Sequence, residues 1–221
     1  MVMNPQAVLD QVFNGGVIAV MRGAFPPDIA LEVCETLLEE GVSVFEMTTN
    51  SERPYEAMVA VKKSLGDAVA VGMGTVLSID DAKKAIDNGA DFVVSPAFQP
   101  DVVQYVLDQH VSMVPGVITP SEAVQAWSMG LKLLKLFPIG PLGLDYFKSF
   151  FSPLDHMNFT CNGGIDADNA RELIQAGAKA VGVAGWLTGD GTWPASRLRS
   201  RARVLINAVE TGRGGSETFE A

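Results

Sequence analysis

Residues 68–96 read AVAVGMGTVLSIDDAKKAIDNGADFVVSP and contain one complete strand–helix–strand unit. The runs at its two ends, AVAVGMG and DFVVSP, are short and almost wholly apolar, which is typical of parallel strands that are covered on both faces. Between them, residues 78–90 have helical spacing, with Ser78 placed to cap the start of the helix and Gly89 placed to end it. The unit therefore predicts a βαβ crossover.

The same alternation of strand and helix patterns recurs along the chain. It follows a short amphipathic segment at 4–14 that predicts an N-terminal helix. Apolar runs that predict strands, each followed by a helical pattern, lie at 16–21, 42–48, 68–74, 91–96, 112–116, 131–138, 157–164 and 179–187. Eight such units in about 200 residues predict an α/β fold, a single (β/α)8 TIM barrel with a short N-terminal helix. An open doubly wound sheet is the alternative, but no G-x-G-x-x-G follows the first predicted strand.

The domain organisation follows from the absence of any linker-like stretch before residue 211. We expect the barrel to span residues 1–210. The remaining sequence, TGRGGSETFEA at 211–221, is polar and rich in glycine, so we expect it to form a flexible C-terminal tail.

The composition limits the possible partners and cofactors. The 221 residues are 48% hydrophobic and 19% charged, which suits a globular protein with a sizeable core. A formal net charge of −10 argues against nucleic acid or an anionic membrane surface as partner, and no apolar run approaches the roughly 20 residues of a membrane span. Two widely separated cysteines and no leader peptide predict a reduced, cytoplasmic protein. The two histidines share no metal-ligand spacing, so neither a metal nor another cofactor is expected.

In (β/α)8 barrels the active site is built at the C-terminal ends of the strands. The candidate site residues of this chain lie at or near those ends: Arg22, Glu46, Thr75, Pro96, Lys135, Phe137, Asn162, Gly163, Gly164, Gly185 and Trp186. Glu46 and Lys135 differ from the others because each is a charged residue within an apolar strand, VSVFEMT and LKLLKLFP. A carboxylate and an amine directed into one barrel predict a functional pair.

Lys132 and Lys135 share one predicted strand but differ in parity, so their side chains point to opposite faces. Lys132 lies at the start of the strand, where its long side chain can extend its ammonium into solvent, so we interpret it as a structural residue. Lys135 lies nearer the catalytic end, where Phe137 would help to keep the pocket dry. A desolvated lysine forms Schiff bases with carbonyls, and Glu46 would then move protons during addition, bond cleavage and hydrolysis. Class I aldol chemistry needs this pair and no metal; a buried structural ion pair is the alternative.

The neighbouring candidates suit an anionic small-molecule substrate. Arg22 can clamp a carboxylate with two parallel hydrogen bonds, although an ordinary arginine of the barrel rim gives the same pattern. Thr75 offers a hydroxyl and an amide to the same carboxylate, and a helix cap is its alternative role. Asn162, Gly163 and Gly164 precede a helix and resemble a phosphate-binding turn, although a plain tight turn has the same composition.

Six motifs, FEMTTNS, GMGTV, FVVSP, VPGV, KLFP and CNGGI, follow one another between residues 16 and 187. In this order they resemble the 2-keto-3-deoxy-6-phosphogluconate / 4-hydroxy-2-oxoglutarate aldolase family. The resemblance implies that Lys135 forms a Schiff base with pyruvate, that Glu46 is the general acid and base, and that Thr75 contacts the keto acid. It also implies a homotrimer with no metal requirement.

Two positions resemble the galactonate-type members of that family more than the gluconate-type members. Gluconate-type members tend to carry an arginine four residues after the glutamate, where this chain has Asn50. Arg22 followed by glycine, and Asn50 followed by Ser51, are similar to the galactonate-type pattern. Arg22 is therefore the expected carboxylate ligand, and Arg53 is a weaker candidate because we expect it on the exposed start of a helix.

The phosphate side also departs from the family pattern. A threonine common before the glycines of strand 7 is Asn162 here, and a serine common at the end of strand 8 is Gly185. The amides of Gly163, Gly164, Gly185 and Trp186 can still bind phosphate, but two hydroxyl donors are missing. At about 1 kcal/mol or more per charged hydrogen bond, we expect phosphate affinity to fall about tenfold or more.

The sequence as a whole predicts a class I aldolase. It would cleave a 2-keto-3-deoxy-6-phospho-sugar acid, or a related 4-hydroxy-2-oxo acid, into pyruvate and an aldehyde such as glyceraldehyde 3-phosphate or glyoxylate. Two other functions stay open at this point. A sugar-phosphate isomerase or epimerase on the same barrel fits CNGGID and would form no covalent adduct. A non-catalytic keto-acid or sugar-phosphate binding protein would keep the pocket without turnover.

Overall fold

Strands and helices alternate along the chain as the sequence predicts. The computed structural model describes residues 2–214. Within that range the strands are β1 Val17–Met21, β2 Val44–Thr48, β3 Ala70–Gly74, β4 Phe92–Val94, β5 Ser112–Val114, β6 Gly116–Val117, β7 Leu134–Leu136, β8 Phe159–Asn162 and β9 Ala180–Val183. The helices are α1 Pro5–Gly15, α2 Pro27–Glu39, α3 Pro54–Leu65, α4 Ile79–Asp87, α5 Pro100–Asp108, α6 Pro120–Ser128, α7 Gly143–Phe151, α8 Ala167–Gln175, α9 Gly185–Thr188 and α10 Ala195–Gly214.

These strands form one parallel sheet in the order β5-β4-β3-β2-β1-β9-β8-β7-β6. The strands at the two ends of this order, β5 and β6, are separated in the chain by Pro115 alone, so the sheet curls into a nearly closed barrel. Residues 2–214 hold nine strands where the sequence predicts eight, because the predicted strand at 112–116 divides at Pro115. Proline has no amide hydrogen for the ladder and so interrupts a strand.

The core has two apolar layers, one on each face of the sheet. The outer layer packs between the strands and the surrounding helices and includes Leu134, Leu136 and Cys161. The inner layer fills the barrel and includes Val8, Leu9, Val12, Ile18, Val44, Ala70, Phe92 and Leu133. Val8, Leu9 and Val12 come from α1, and Ile18, Val44, Ala70 and Phe92 lie in the first halves of their strands. Helix α1 therefore closes the N-terminal end of the barrel and leaves the C-terminal end for a site.

The last helix closes the ring of helices around the sheet. It continues through Gly214, beyond the expected end of the barrel at residue 210, and the rest of the expected tail lies outside the described residues. Arg203 joins α10 to the end of α2, since its Nε and Nη2 donate to the Glu40 carboxylate at 2.6 and 2.9 Å. No helix in the described range is long and apolar enough to cross a membrane.

A buried acid ties the N-terminal segment to the closed end of the barrel. The Asp91 side chain, directly before β4, is 2% exposed. It accepts hydrogen bonds from the Met3 amide at 2.7 Å and from the Val71 amide at 3.0 Å, and a third from Lys62 Nζ. One carboxylate therefore joins the chain ahead of α1 to α3 and β3.

We expect Asp91→Ala to lower the free energy of unfolding by about 3 kcal/mol, because Lys62 loses its counter-charge and two amides lose their acceptor. Urea denaturation measures this loss. Asp87→Ala, on the exposed surface of α4, is the matched control and should cost little. A loss below about 1 kcal/mol at Asp91 would contradict the stabilising role given to this contact.

Candidate active site

A cavity of about 350 Å³ opens at the C-terminal ends of β1, β7, β8 and β9. Its lining residues are Val20, Arg22, Lys135, Phe137, Asn162, Gly163, Gly164, Ile165, Gly182, Ala184, Gly185 and Trp186. Eight of the eleven residues predicted from the sequence are in this list. The structure therefore brings most of the predicted site into one concave space at the end of the barrel where such sites are built.

Lys135 and Glu46 face each other inside the barrel. Lys135 Nζ lies 4.0 Å from Glu46 Oε1, and their side chains are 5% and 1% exposed. Neither carboxylate oxygen of Glu46 has a hydrogen-bond partner among the described residues. A buried carboxylate without hydrogen bonds is costly, so its presence indicates a group that is kept available for a ligand or a proton.

The alternation of β7 explains why Lys135 points inward. Leu134 and Leu136 belong to the outer layer of the core, so the residue between them must face the barrel. Lys132 is exposed at the other end of this segment, as its parity and position predict. The Lys135 ammonium lies 5.0 Å from the centroid of the Phe137 ring, which covers it with an apolar face.

Gly74 makes the position of the Glu46 carboxylate possible. The two residues lie on neighbouring strands, and a Cβ at residue 74 would stand 1.9 Å from Glu46 Oε1. A side chain of any size at this position would force the carboxylate away from Lys135. The glycine is therefore part of the site, although it contributes no functional group of its own.

We expect Gly74→Ala to reduce kcat about 100-fold, because the displaced carboxylate could no longer transfer protons at the reacting atoms. The measurement is steady-state turnover of the keto-acid substrate, with circular dichroism to verify folding. Gly15→Ala is the matched control, since a Cβ there meets no atom within 4 Å. Full activity of Gly74→Ala would argue against the geometry of the pair.

Arg22 and Thr75 meet at the edge of the cavity. Arg22 follows β1 and Thr75 follows β3, and Arg22 Nη2 donates to Thr75 Oγ1 at 3.3 Å. Thr75 has a φ of 61°, in the left-handed region that a β-branched residue adopts only under strain. Arg22 is exposed and lines the cavity, so the pair can bind a carboxylate that enters from solvent.

The amide of Asn162 occupies the barrel interior at the end of β8. Thr160 Oγ1 donates to Asn162 Oδ1 at 3.1 Å, and both residues are buried. A Cβ on Gly182, in the neighbouring strand β9, would stand 1.7 Å from Asn162 Nδ2. The absence of a side chain at Gly182 therefore leaves space for the Asn162 amide, and the hydrogen bond from Thr160 fixes the orientation of that amide.

The phosphate side of the predicted site is made of backbone and one aromatic ring. Gly163 and Gly164 have φ values of 89° and 75°, so both adopt the left-handed conformation that glycine permits. Gly185 begins α9, and Trp186 follows it with the Arg201 guanidinium 4.3 Å from its ring. These residues form one wall of the cavity, at the ends of β8 and β9.

Three predicted residues lie outside the cavity lining. Glu46 contacts the site by pairing with Lys135, and Thr75 contacts it by accepting a hydrogen bond from Arg22. The backbone of Pro96 packs against Gly116 instead, where a Cβ on the glycine would stand 2.3 Å from the proline carbonyl. Arg53, the weaker carboxylate candidate, is the N-cap residue of α3 and pairs with Glu56 at 3.8 Å on the surface.

The remaining chemistry-bearing side chains are the possible metal ligands and the cysteine of β8. Among residues 2–214 no group of three or more His, Cys, Asp or Glu side chains is placed to hold a metal ion. Cys161 stands between the inward-facing Thr160 and Asn162 on β8, so its thiol enters the outer core layer. Burial raises the pKa of that thiol well above its usual value, which disfavours a nucleophilic thiolate.

Sequence reasoning missed several residues that shape the cavity, namely Val20, Thr160, Ile165, Gly182 and Ala184. Thr160 could have been found, because it stands two residues before Asn162 and strand alternation gives both the same face. Gly182 could not, since its importance depends on which side chain lies opposite it in the next strand.

The chain is similar to aldolases over most of its length. The sequence model described as KDPG and KHG aldolase matches residues 9–197. A probable 2-dehydro-3-deoxy-6-phosphogalactonate aldolase from Rhizobium meliloti is 29% identical over 203 residues, which cover 90% of this chain and 94% of the relative. A 2-dehydro-3-deoxy-phosphogluconate aldolase from Treponema pallidum is 33% identical over 146 residues, which cover 66% of this chain and 69% of the relative.

A solved structure shares the barrel. The KDPG aldolase of Legionella pneumophila, with pyruvate captured at low pH as a covalent carbinolamine intermediate, superposes with a TM-score of 0.74 at 21% identity. The match covers 90% of this chain and 94% of the other. At this identity the likeness establishes the fold.

Proposed function

We infer the chemistry from the premise that the chain belongs to the KDPG and KHG aldolase family: it is a class I pyruvate aldolase, a carbon–carbon lyase. The observation that carries the residue assignments is the buried pair of Lys135 and Glu46, with 4.0 Å between amine and carboxylate. A buried amine beside a carboxylate that accepts no hydrogen bond from the described residues supplies both groups that Schiff-base formation requires.

Substrate binding begins at the edge of the cavity. The carboxylate of the 2-keto acid lies against the Arg22 guanidinium and the Thr75 hydroxyl, which stand 3.3 Å apart. Arg22 and Lys135 line the same cavity, which supports a keto carbon bound beside Lys135 Nζ. The ring of Phe137 over the amine excludes water from one side.

Glu46 takes a proton from the Lys135 ammonium, the free amine attacks the keto carbon, and Glu46 returns the proton to the carbonyl oxygen to give a carbinolamine. Loss of water then leaves a protonated imine. Glu46, directly or through a water, takes the proton of the 4-hydroxyl, the C3–C4 bond breaks, and its electron pair moves into the imine. The aldehyde leaves, and the remaining enamine is protonated at C3 and hydrolysed to release pyruvate and free Lys135.

The far end of the substrate extends along the wall made by Asn162, Gly163, Gly164, Gly185 and Trp186. We assign the phosphate of a 2-keto-3-deoxy-6-phospho-sugar acid to the amides of this wall, with glyceraldehyde 3-phosphate as the leaving aldehyde. A shorter 4-hydroxy-2-oxo acid that releases glyoxylate would leave the wall unused. The galactonate-type substrate is favoured by Arg22 and Asn50, as the sequence resemblance implies.

The test is pyruvate release from three purified substrates, followed with lactate dehydrogenase and NADH. We expect turnover of the 6-phosphogalactonate and 6-phosphogluconate keto acids and of 4-hydroxy-2-oxoglutarate, with the first preferred. Conversion of a sugar phosphate without pyruvate would favour an isomerase or epimerase. Thermal stabilisation by keto acid without any product would favour a binding protein.

The remaining assignments concern the architecture of the assembly. We count residues 112–117 as one barrel strand interrupted at Pro115, which makes the architecture a (β/α)8 barrel. We take the protein to be a cytoplasmic homotrimer. The homotrimer is what the sequence resemblance implies. Light scattering in solution should give three times the chain mass of 23.5 kDa.

A further inference from the structure

The turn after β2 contacts the backbone on both sides of Arg22. Ser51 Oγ accepts a hydrogen bond from the Gly23 amide at 3.0 Å and lies 3.3 Å from the Met21 carbonyl. Thr48 Oγ1 lies 2.8 Å from Ser51 Oγ and donates to the same carbonyl at 3.3 Å. Hydroxyls of one turn thus fix the peptides before and after the arginine.

The same turn also holds the backbone on both sides of Thr75. The Thr49 amide donates to the Gly74 carbonyl at 2.9 Å. Thr49 Oγ1 donates to the Thr75 carbonyl at 2.8 Å. Thr75 has a φ of 61°, and a strained conformation of this kind persists only where neighbouring groups enforce it.

We propose that Thr49 and Ser51 are positioning residues for the substrate carboxylate: they hold Thr75 and Arg22 in the arrangement that binds it. Arg22 is exposed and its side chain has many rotamers, so its backbone must be fixed before its guanidinium can form a directed clamp. β2 lies between β1 and β3 in the sheet, and its turn is therefore the element that can reach both ligands. The inference rests on the proposed aldolase function.

A purely structural role for these hydroxyls makes a different prediction. If they only stabilise the barrel rim, their loss should affect every ligand of the site equally. If they position the carboxylate ligands, their loss should weaken pyruvate, which has a carboxylate, and spare acetone, which has the same reactive ketone without one. The two ketones therefore separate positioning from general damage.

The experiment measures the rate of inactivation by borohydride as a function of ketone concentration. Thr49→Val removes the hydroxyl at nearly constant volume, and Thr49→Ser keeps it. We expect Thr49→Val to raise the pyruvate concentration for half-maximal trapping about tenfold, with no change in the limiting rate or in the acetone profile. Thr49→Ser should stay within about threefold of the unchanged protein. Ser51→Ala should behave like Thr49→Val and provides an independent variant.

Three outcomes would overturn the inference. The first is an unchanged pyruvate profile in both Thr49→Val and Ser51→Ala. The second is an equal loss with pyruvate and acetone, which would indicate general damage. The third is failure of Thr49→Ser to restore the pyruvate profile. Failure of the proposed function looks different, because the unchanged protein would then form no adduct with pyruvate at all.

Discussion

Lys135→Met is expected to reduce aldol cleavage by about 10⁴-fold or more, since Lys135 carries the only primary amine among the described residues that line the cavity, and an imine with the substrate needs that amine. Methionine matches the apolar stem of lysine and should preserve the packing of β7 against its neighbours. The measurement is pyruvate release at saturating substrate, with circular dichroism and thermal unfolding to verify that the barrel is intact.

Lys132→Met is the matched control for this experiment. It removes an amine from the same segment, three residues earlier, at a position that is exposed and outside the cavity. We expect it to keep the activity of the unchanged protein. If Lys135→Met kept more than about a tenth of the activity, or if Lys132→Met lost as much, the assignment of the Schiff-base lysine would be wrong.

Glu46→Gln is expected to lower kcat by about 10²- to 10⁴-fold, the usual contribution of a positioned general acid and base. The amide has the size of the carboxylate but cannot carry a proton between the substrate and the medium. Lys135 stays in place, so pyruvate should still be trapped by borohydride, at a lower rate. The measurements are kcat for cleavage and the rate of adduct formation.

Glu32→Gln, on the exposed surface of α2, is the matched control for loss of one negative charge. It should leave both rates unchanged. A Glu46→Gln variant with normal kcat would show that another group moves the protons. A variant that could no longer be trapped would show that Glu46 is required to form the imine and not only to break the carbon–carbon bond.

Most of the fold could be predicted because most of its elements carry a local signal. An exception is α9, Gly185–Thr188, which begins within the apolar stretch 179–187 that predicts a strand. The apolar run of β3 and the helical spacing of α4 are both written in residues 68–96, and Ser78 Oγ caps α4 by accepting from the Asp81 amide at 3.1 Å. The division of the predicted fifth strand at Pro115 was not predicted. A proline interrupts the hydrogen bonds between strands only where an amide at its position would have donated one, and the sequence does not show which positions donate. The extent of α10 through Gly214 was missed because its glycines resemble a tail.

The site could be predicted where strand alternation or a charged residue in an apolar run gave the signal. Lys135 and Glu46 were found in that way, and their 4.0 Å approach agrees with the expectation that both enter the barrel. The roles of the supporting residues could not be predicted. The role of Gly74 depends on where the Glu46 carboxylate lies, and the role of the Thr49 hydroxyl depends on its contact with Thr75. Both contacts cross from one strand to the next, and such pairings appear only once the register of the sheet is known.

Borohydride trapping with pyruvate is the most direct test of the central claim, that Lys135 forms the imine. Trypsin cleaves the unmodified chain after Lys132 and Lys135, whereas a reduced adduct blocks the second cleavage. The account predicts a peptide spanning 133–148 with an added mass of about 72 Da. In Lys135→Met the peptide spanning 133–148 is released in any case, because trypsin does not cleave after methionine, and the account predicts that it carries no added mass. No adduct at saturating pyruvate, or an adduct confined to another lysine, would contradict the account.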